Sequence, residues 1–488
     1  MKVFNLSLFA ILVICTTQSF AQVNGEIIER ELNEYRYGYS IVRLYGSHYE
    51  MGYAYGYLFA DDIANAVDEA KDLVEDWGYT WTMVLMLVND YIFKPDCIED
   101  EFDGIVAGVS DSLPTADITA DDIKVMNCFG DLAYYLCRSI SSWGSTVAGS
   151  EFTTISTRRL DYGDMGLDAQ YHHVIAIFEP DDSSPSWINF AWPGYITCVT
   201  GLNEFGTVAS LHDYYESGSY PSNPMPRVVA CRYALTMPTN PDVSTHLDSV
   251  FSELGGYNCA TAGFLNYYVP DGHGGVIKHN RGLGYYEIRY PHPDCYGGEA
   301  IYTNNSDISG ATVGEPWSSY YAANAPGGNI TMSGQWDASG ASFHRLTVGV
   351  RTRNDMLVWF DGSYPGGSTS KIEFEWCEIV GISRKANNAL PEKSEITVFP
   401  NPFNSSVRIS VNMGEEYSYP AAVEIYDLRG NVIVSNIVHS TDEKYISYAP
   451  TSGIFIWHPS EAISSGVYLI RARMEDGQMV SKRAVYIQ

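Results

Sequence analysis

The hydrophobic pattern of the chain changes period along its length, and this limits the available folds more than any other feature. From Glu26 to about Ile123 the chain reads as mainly helical: Ile63, Val67, Ala70, Leu73 and Val74 lie at helical spacing between acidic residues, as on an amphipathic helix. From Cys137 to about Ser383 the texture becomes short β-type runs split by Gly, Asn, Asp and Pro. Val174–Phe178 and Leu346–Val350 are examples, with helical stretches such as Val228–Leu235 between them. A polar connector, Arg384–Glu395, follows. Beyond it apolar and polar residues alternate, as in Val407-Arg408-Ile409-Ser410-Val411 and Ala422-Val423-Glu424-Ile425-Tyr426, with turn signals at Arg429-Gly430-Asn431 and Ser464-Ser465-Gly466. That is the pattern of a small antiparallel β-sandwich. The expectation is an α+β chain divided as 1–21, 22–136, 137–385, 386–396 and 397–488.

The first of these blocks reads as an export signal. Lys2 precedes an apolar run from Val3 to Thr17, too short to span a bilayer, and small residues follow near Ala21. Its removal takes away Cys15 and leaves eight cysteines, too few for a disulfide scaffold and without a C-x-x-C pair for a metal. No later segment is apolar enough to span a membrane. The formal net charge is −30, of which residues 391–488 carry −3. So acidic a surface disfavours nucleic acid and anionic lipid as partners. Neither a G-x-x-x-x-G-K-[ST] loop nor a convincing G-x-G-x-x-G loop is present, which argues against phosphate-cradling chemistry. No metal or organic cofactor is implied.

One cysteine stands apart from the rest. Cys137 opens the alternating run Cys137-Arg138-Ser139-Ile140-Ser141-Ser142-Trp143-Gly144-Ser145, followed by a turn at Ala148-Gly149-Ser150, a second strand from Phe152 to Thr157, and Arg158-Arg159-Leu160-Asp161-Tyr162. A hairpin of this length can fold Arg158 and Asp161 back beside Cys137. A thiol flanked by a cation is expected to have a depressed pKa. If the bond before Cys137 is cut, its own α-amine becomes a general base beside the sulfur, and a carboxylate such as Asp161 can orient it.

These residues resemble the acyltransferases of the isopenicillin N acyltransferase type, within the N-terminal-nucleophile (Ntn) hydrolases, with choloylglycine hydrolases as more distant relatives. The matching motifs are Cys137, Trp143-Gly144 and Arg158-Arg159-Leu160-Asp161-Tyr162. Upstream, Leu44-Tyr45-Gly46-Ser47-His48-Tyr49-Glu50-Met51-Gly52-Tyr53-Ala54-Tyr55-Gly56 is similar to the family's opening motif. Downstream, Gly201-Leu202-Asn203-Glu204-Phe205-Gly206 and Tyr302-Thr303-Asn304 are similar to its later ones. The resemblance implies an αββα four-layer sandwich that cuts itself after Leu136, freeing residues 22–136 as a separate subunit. It implies a secreted amidohydrolase or acyltransferase that acts on linear amide bonds of small N-acylated substrates through a Cys137 thioester. Arg158 would hold the thiolate and carbonyl side, Asp161 the new α-amine, and Asn304 the oxyanion. Arg159 departs from the family, where Asn is usual, and the roles of His212 and Asp213 stay open.

The C-terminal block carries a second resemblance. Val398-Phe399-Pro400-Asn401-Pro402-Phe403-Asn404, Ile425-Tyr426-Asp427-Leu428-Arg429-Gly430 and Ser465-Gly466-Val467-Tyr468-Leu469 resemble the Ig-like type IX secretion sorting domain. This implies the type IX secretion machinery as a partner, and release from, or attachment to, the surface of a bacterium. Two other function classes stay open for the front of the chain. One is a papain-like cysteine peptidase pairing Cys137 with His212 or another histidine. The other is a non-catalytic surface protein that would tolerate Cys137→Ala.

Overall fold

Charged residues shape the first strand. β1 (Gly25–Leu32) leaves Glu26, Glu29, Arg30 and Glu31 exposed and pairs antiparallel with β2 (Gly38–Gly46). Charges on an edge strand discourage further pairing, so residues that look helical in sequence here mark a sheet edge. The stretch expected to be mainly helical therefore opens with two strands. The helices follow: α1 (His48–Leu58), α2 (Ala60–Asp76), α3 (Trp81–Val88), α4 (Ile98–Ser112), α5 (Ala120–Met126) and α6 (Phe129–Leu132). Ser47 caps α1 in a capping box with Glu50. A Cβ on Gly52 or Gly56 of α1 would lie 2.3 or 2.1 Å from the Glu101 or Ile105 carbonyl oxygen of α4, and Gly104 and Gly108 of α4 face α1 as closely. The glycines of the opening motif are thus the contact of a close helix crossing.

This computed structural model describes residues 23–380 apart from 133–135, 162–166, 215–220, 238–242, 270–272, 280–285, 307–309 and 353–354, together with parts of 395–487. The expected export signal, most of the connector, Tyr162, Pro400, Pro402 and the Gly430 turn lie outside the described residues. The chain divides into two units, Met1–Val380 and Gly381–Gln488.

In the first unit the chain continues through β3 (Leu136–Trp143), β4 (Thr154–Asp161), β5 (His172–Pro180), β6 (Trp187–Ala191), β7 (Thr200–Asn203), β8 (Val208–Asp213), α7 (Arg227–Thr236) and α8 (Val243–Gly255). Then come β9 (Gly263–Val269), β10 (His273–His279), β11 (Tyr286–Arg289), β12 (Ala300–Asn304), α9 (Ser318–Asn324), α10 (Met332–Ser339), β13 (His344–Thr352), β14 (Asp355–Tyr364), β15 (Gly367–Ser368), β16 (Ile372–Glu375) and α11 (Trp376–Ile379). One sheet has the order β1-β2-β5-β6-β7-β8-β9-β10-β11, the other β12-β3-β4-β13-β14-β15 with β16 on β14. Only β2 and β5 pair in parallel among the described strands.

Three apolar clusters hold this unit together. Val42, Val174 and Leu265 of the nine-stranded sheet pack with Ile63, Val67, Phe102 and Val229 of α2, α4 and α7. Ile175, Ile177 and Phe190 of that sheet meet Leu346, Val348 and Phe360 of the second sheet. Ile140 and Ile155, on the second sheet, pack with Trp317, Tyr321 and Met332 around α9 and α10. Period-two alternation explains why neighbouring residues of one strand serve different clusters: Val174 and Ala176 face helices, Ile175 and Ile177 the other sheet.

The second unit is a two-sheet β-sandwich. β17 (Glu395–Phe399), β18 (Val407–Asn412), β22 (Ile454–Trp457) and β21 (Ile446–Ala449) form one sheet, and β20 (Val432–Ile437), β19 (Ala422–Asp427), β23 (Gly466–Arg473) and β24 (Met479–Tyr486) the other. Val407, Ile409, Val423, Ile425, Trp457 and Ile470 fill its core, as the alternation of the sequence leads one to expect.

Candidate active site

The site is built on three adjacent strands, β12, β3 and β4. Antiparallel pairing sets Cys137 opposite Leu160, Ser139 opposite Arg158, and Leu136 opposite Asp161. Residues directly opposite share a face, so Cys137, Ser139, Arg158 and Leu160 all lie on one side of the sheet. That side meets the nine-stranded sheet: the Ser139 hydroxyl lies 3.2 Å from Tyr268 Oη on β9, and Arg158 donates to the Leu211 carbonyl of β8 at 3.2 Å. Arg158 Nη2 also donates to Cys137 Sγ at 3.4 Å. Hairpin closure thus brings Arg158 to the sulfur, as expected.

Asp161 falls on the other face. Its carboxylate accepts from Arg138 Nη1 at 2.7 Å and from Arg159 Nε at 2.6 Å. Arg159, the departure from the family pattern, also donates to the Ser339 and Ala341 carbonyls. The same parity separates Asn304, the last residue of β12, from Asn305, which follows the strand. Asn304 is opposite Arg138, and its Oδ1 accepts from Ser306 N at 2.8 Å. Asn305, one residue on, comes level with Cys137, and its Oδ1 accepts from the Cys137 backbone N–H at 2.6 Å. Sequence reasoning pointed to Asn304 and missed Asn305 and Arg138.

The sulfur is enclosed, at 2% exposure. Burial pushes the thiol up to about 12; Arg158 pulls it down, while Asp213 and Asp161 add to the rise. The expected depressed pKa is therefore reversed, because desolvation outweighs the pull of Arg158 and Arg227. His212 lies on β8, also buried, and neither ring nitrogen has a hydrogen-bond partner among the described residues. Burial, then Arg158, Arg289, Arg227 and Arg138, hold its pKa well below the ordinary value. It is a neutral imidazole that cannot readily take a thiol's proton. Asp213 pairs with Arg227, whose Nε also donates to Asp131 Oδ1 at 2.9 Å.

The remaining motifs have structural partners. Asn203 Oδ1 accepts from Phe205 N and Thr207 N at 3.1 Å each, and its Nδ2 donates to the Leu235 carbonyl. With Gly206 at φ 80° it closes the β7–β8 turn. Trp143 is buried, and Gly144, at φ 60°, lies against Glu299. Away from Cys137, a cavity of about 140 Å³ is bordered by Arg36, Asp62, Glu69, Asp168 and His172. Arg36 Nε donates to Asp62 there at 2.7 Å. Among the described residues no group of His, Cys, Asp or Glu is placed to hold a metal ion, and no helix is long and apolar enough to cross a membrane.

Protein dcd1B of Dictyostelium discoideum is 22% identical to the chain over 212 residues, 38% of the chain and 40% of that protein. The chain thus spans about 40% of this relative's length. Two solved structures match at a TM-score of 0.14: CopC from Methylosinus trichosporium OB3b, at 16% identity over 19% of this chain and 91% of that one, and dimeric latent PorU from Porphyromonas gingivalis, at 19% identity over 30% of this chain and 12% of that one. Neither likeness bears on the fold. Residues 397–486 match the family described as the secretion system C-terminal sorting domain. The second unit is a type IX secretion sorting domain, and the chain that carries it is a bacterial protein sent to the cell surface or beyond.

Proposed function

We propose that the first unit is an αββα Ntn hydrolase, a self-processing cysteine amidohydrolase or acyltransferase of linear amides. The observation that supports it is the pairing of Arg158 with the Cys137 sulfur at 3.4 Å, on a thiol enclosed by the protein. In the uncut chain the bond to be attacked is the peptide that precedes the cysteine. Attack by Sγ on the Leu136 carbonyl closes a five-membered ring. The C–N bond then breaks, the nitrogen takes a proton from water to replace the one the thiol lost to solvent, and the acyl group is left on sulfur. Water hydrolyses that thioester, freeing a Leu136 carboxylate, the Cys137 thiol and the α-amine. The same sulfur then takes the acyl group of a small N-acyl amide, with Arg158 countering its charge. Asp161 and Asn304 stand one register position from Cys137 on the adjoining strands, Asp161 on the opposite face of the sheet; the resemblance assigns them the amine and the oxyanion. The neutral, arginine-crowded His212 weighs against a papain-like pair.

Intact mass and a denaturing gel of the wild type beside Cys137→Ala test this reading. The expected outcome is a wild-type chain cut between Leu136 and Cys137 and a variant that stays whole. With a thiol near 12, the rate of the cut rises about tenfold per pH unit between about pH 6 and 9. Should both proteins stay single chains, self-processing is excluded, and a peptidase or binding role takes its place.

A further inference from the structure

We infer that Asn305 is the positioning residue for the Cys137 amino group, holding it as an amide before the cut and receiving it as an amine afterwards. The inference rests on the self-processing reading above and concerns what makes that amine a usable base.

Geometry comes first. The Asn305 Oδ1 lies 2.6 Å from the Cys137 nitrogen in the uncut chain. That bond fixes the scissile peptide plane relative to β12, and it requires no rearrangement to become the first hydrogen bond of the new amine. Asp161, the nearer carboxylate by register, is opposite Leu136 and is engaged by Arg138 and Arg159 at 2.7 and 2.6 Å.

The chemistry of the acceptor then matters. A carboxylate against an amine favours the ammonium form, which cannot take a proton from the thiol. A neutral amide oxygen orients the amine without that bias. The charged and titratable groups around Cys137 point the same way. On its own strand there is Arg138; on β4, Arg158, Arg159 and Asp161; on β8, His212 and Asp213. Arg227 lies on α7, Arg289 on β11 and His344 on β13. The two carboxylates in this set are each ion-paired to arginine, Asp161 to Arg138 and Arg159, Asp213 to Arg227. Arginine thus offsets both carboxylates, and Asn305 adds no charge of its own that would hold the amine as ammonium. In turnover the thiol proton passes to this amine as sulfur adds to the substrate carbonyl. The ammonium returns the proton to the leaving amine as the C–N bond breaks. When water opens the thioester, the amine takes its proton and hands it to the departing sulfur.

The test compares the wild type, Asn305→Asp and Asn305→Leu as full chains. One readout is the rate of the cut by intact mass. The other is the pH dependence of iodoacetamide alkylation at Cys137 in cut protein, followed on its tryptic peptide. Asn305→Leu removes the acceptor at nearly constant volume and is expected to slow the cut by about 100-fold. Asn305→Asp keeps an acceptor and should cut within about threefold of wild type, but its charge moves the acid limb of alkylation up by about one pH unit. A new carboxylate there also acts through its charge alone, so the shift supports the inference only together with the slowed cut of the uncharged Asn305→Leu. Wild-type cutting by Asn305→Leu, or an unmoved limb in Asn305→Asp, overturns the inference. If Asn305→Leu shows no cooperative melt, Asn305→Ser, whose hydroxyl falls short of the Cys137 nitrogen, replaces it under the same criteria. A wild type that never cuts defeats the self-processing reading instead, so the two failures are told apart.

Discussion

Two buried arginines of the first unit are held in opposite ways. Arg232, on α7, grips the Glu101 carboxylate of α4 with both terminal nitrogens, at 2.7 and 2.5 Å, and also donates to the Ile196 carbonyl. His48 approaches the same carboxylate at 2.6 Å. Arg158 is as deeply buried but faces a thiol and one carbonyl, and no carboxylate among the described residues pairs with it; its Nε and Nη1 have no hydrogen-bond partner among those residues, as Arg232 Nε has none. A buried charge matched by a carboxylate ties elements together. One set against a neutral thiol is poorly compensated, and such groups concentrate at sites of chemistry.

The two arginines should therefore divide stability from activity. Glu101→Gln leaves Arg232 charged and uncompensated where three helices meet, so urea denaturation should show a loss of about 3–5 kcal/mol. A loss below about 1 kcal/mol would break the comparison. A smaller effect belongs to His48. Burial opposes its charge, but side-chain contacts with Cys97 and Glu101 outweigh burial and lift it from 6.5 to about 10. The raised value fixes the sign: its contribution is full below about pH 6.5 and is lost as pH rises through about 10. His48→Gln should flatten the dependence of stability on pH in that window, measured by denaturation midpoints. The smallest stability change is expected for Arg158→Leu, within about 1 kcal/mol and of either sign. The same variant should slow the cut by at least about 100-fold, and a wild-type rate would remove Arg158 from the chemistry.

Much of this was legible in the sequence where one period ruled a whole element. The buried stripe Ile63, Val67, Ala70 and Val74 of α2 and the strands around Val174 and Leu346 follow from spacing alone. Arg158 was legible because a hairpin is local. β1 was not, since Glu26-Ile27-Ile28-Glu29-Arg30-Glu31 carries the charge of an edge strand and also suits a helix. Nor was the choice between Asn304 and Asn305. It depends on the register of β12 against β3, a pairing between segments more than 150 residues apart in sequence. The thiol's direction was also missed, because desolvation depends on packing that no local motif records.

β1 and β2 precede the proposed cut, yet β2 is paired along its length with β5, which follows it. On the self-processing reading, the mature first unit is two molecules that were folded as one. Unfolding it would release both pieces, and refolding would become a second-order encounter that dilution slows. For a protein exported into a large volume, survival would then depend on how slowly the pieces separate, and no longer on how readily they find each other.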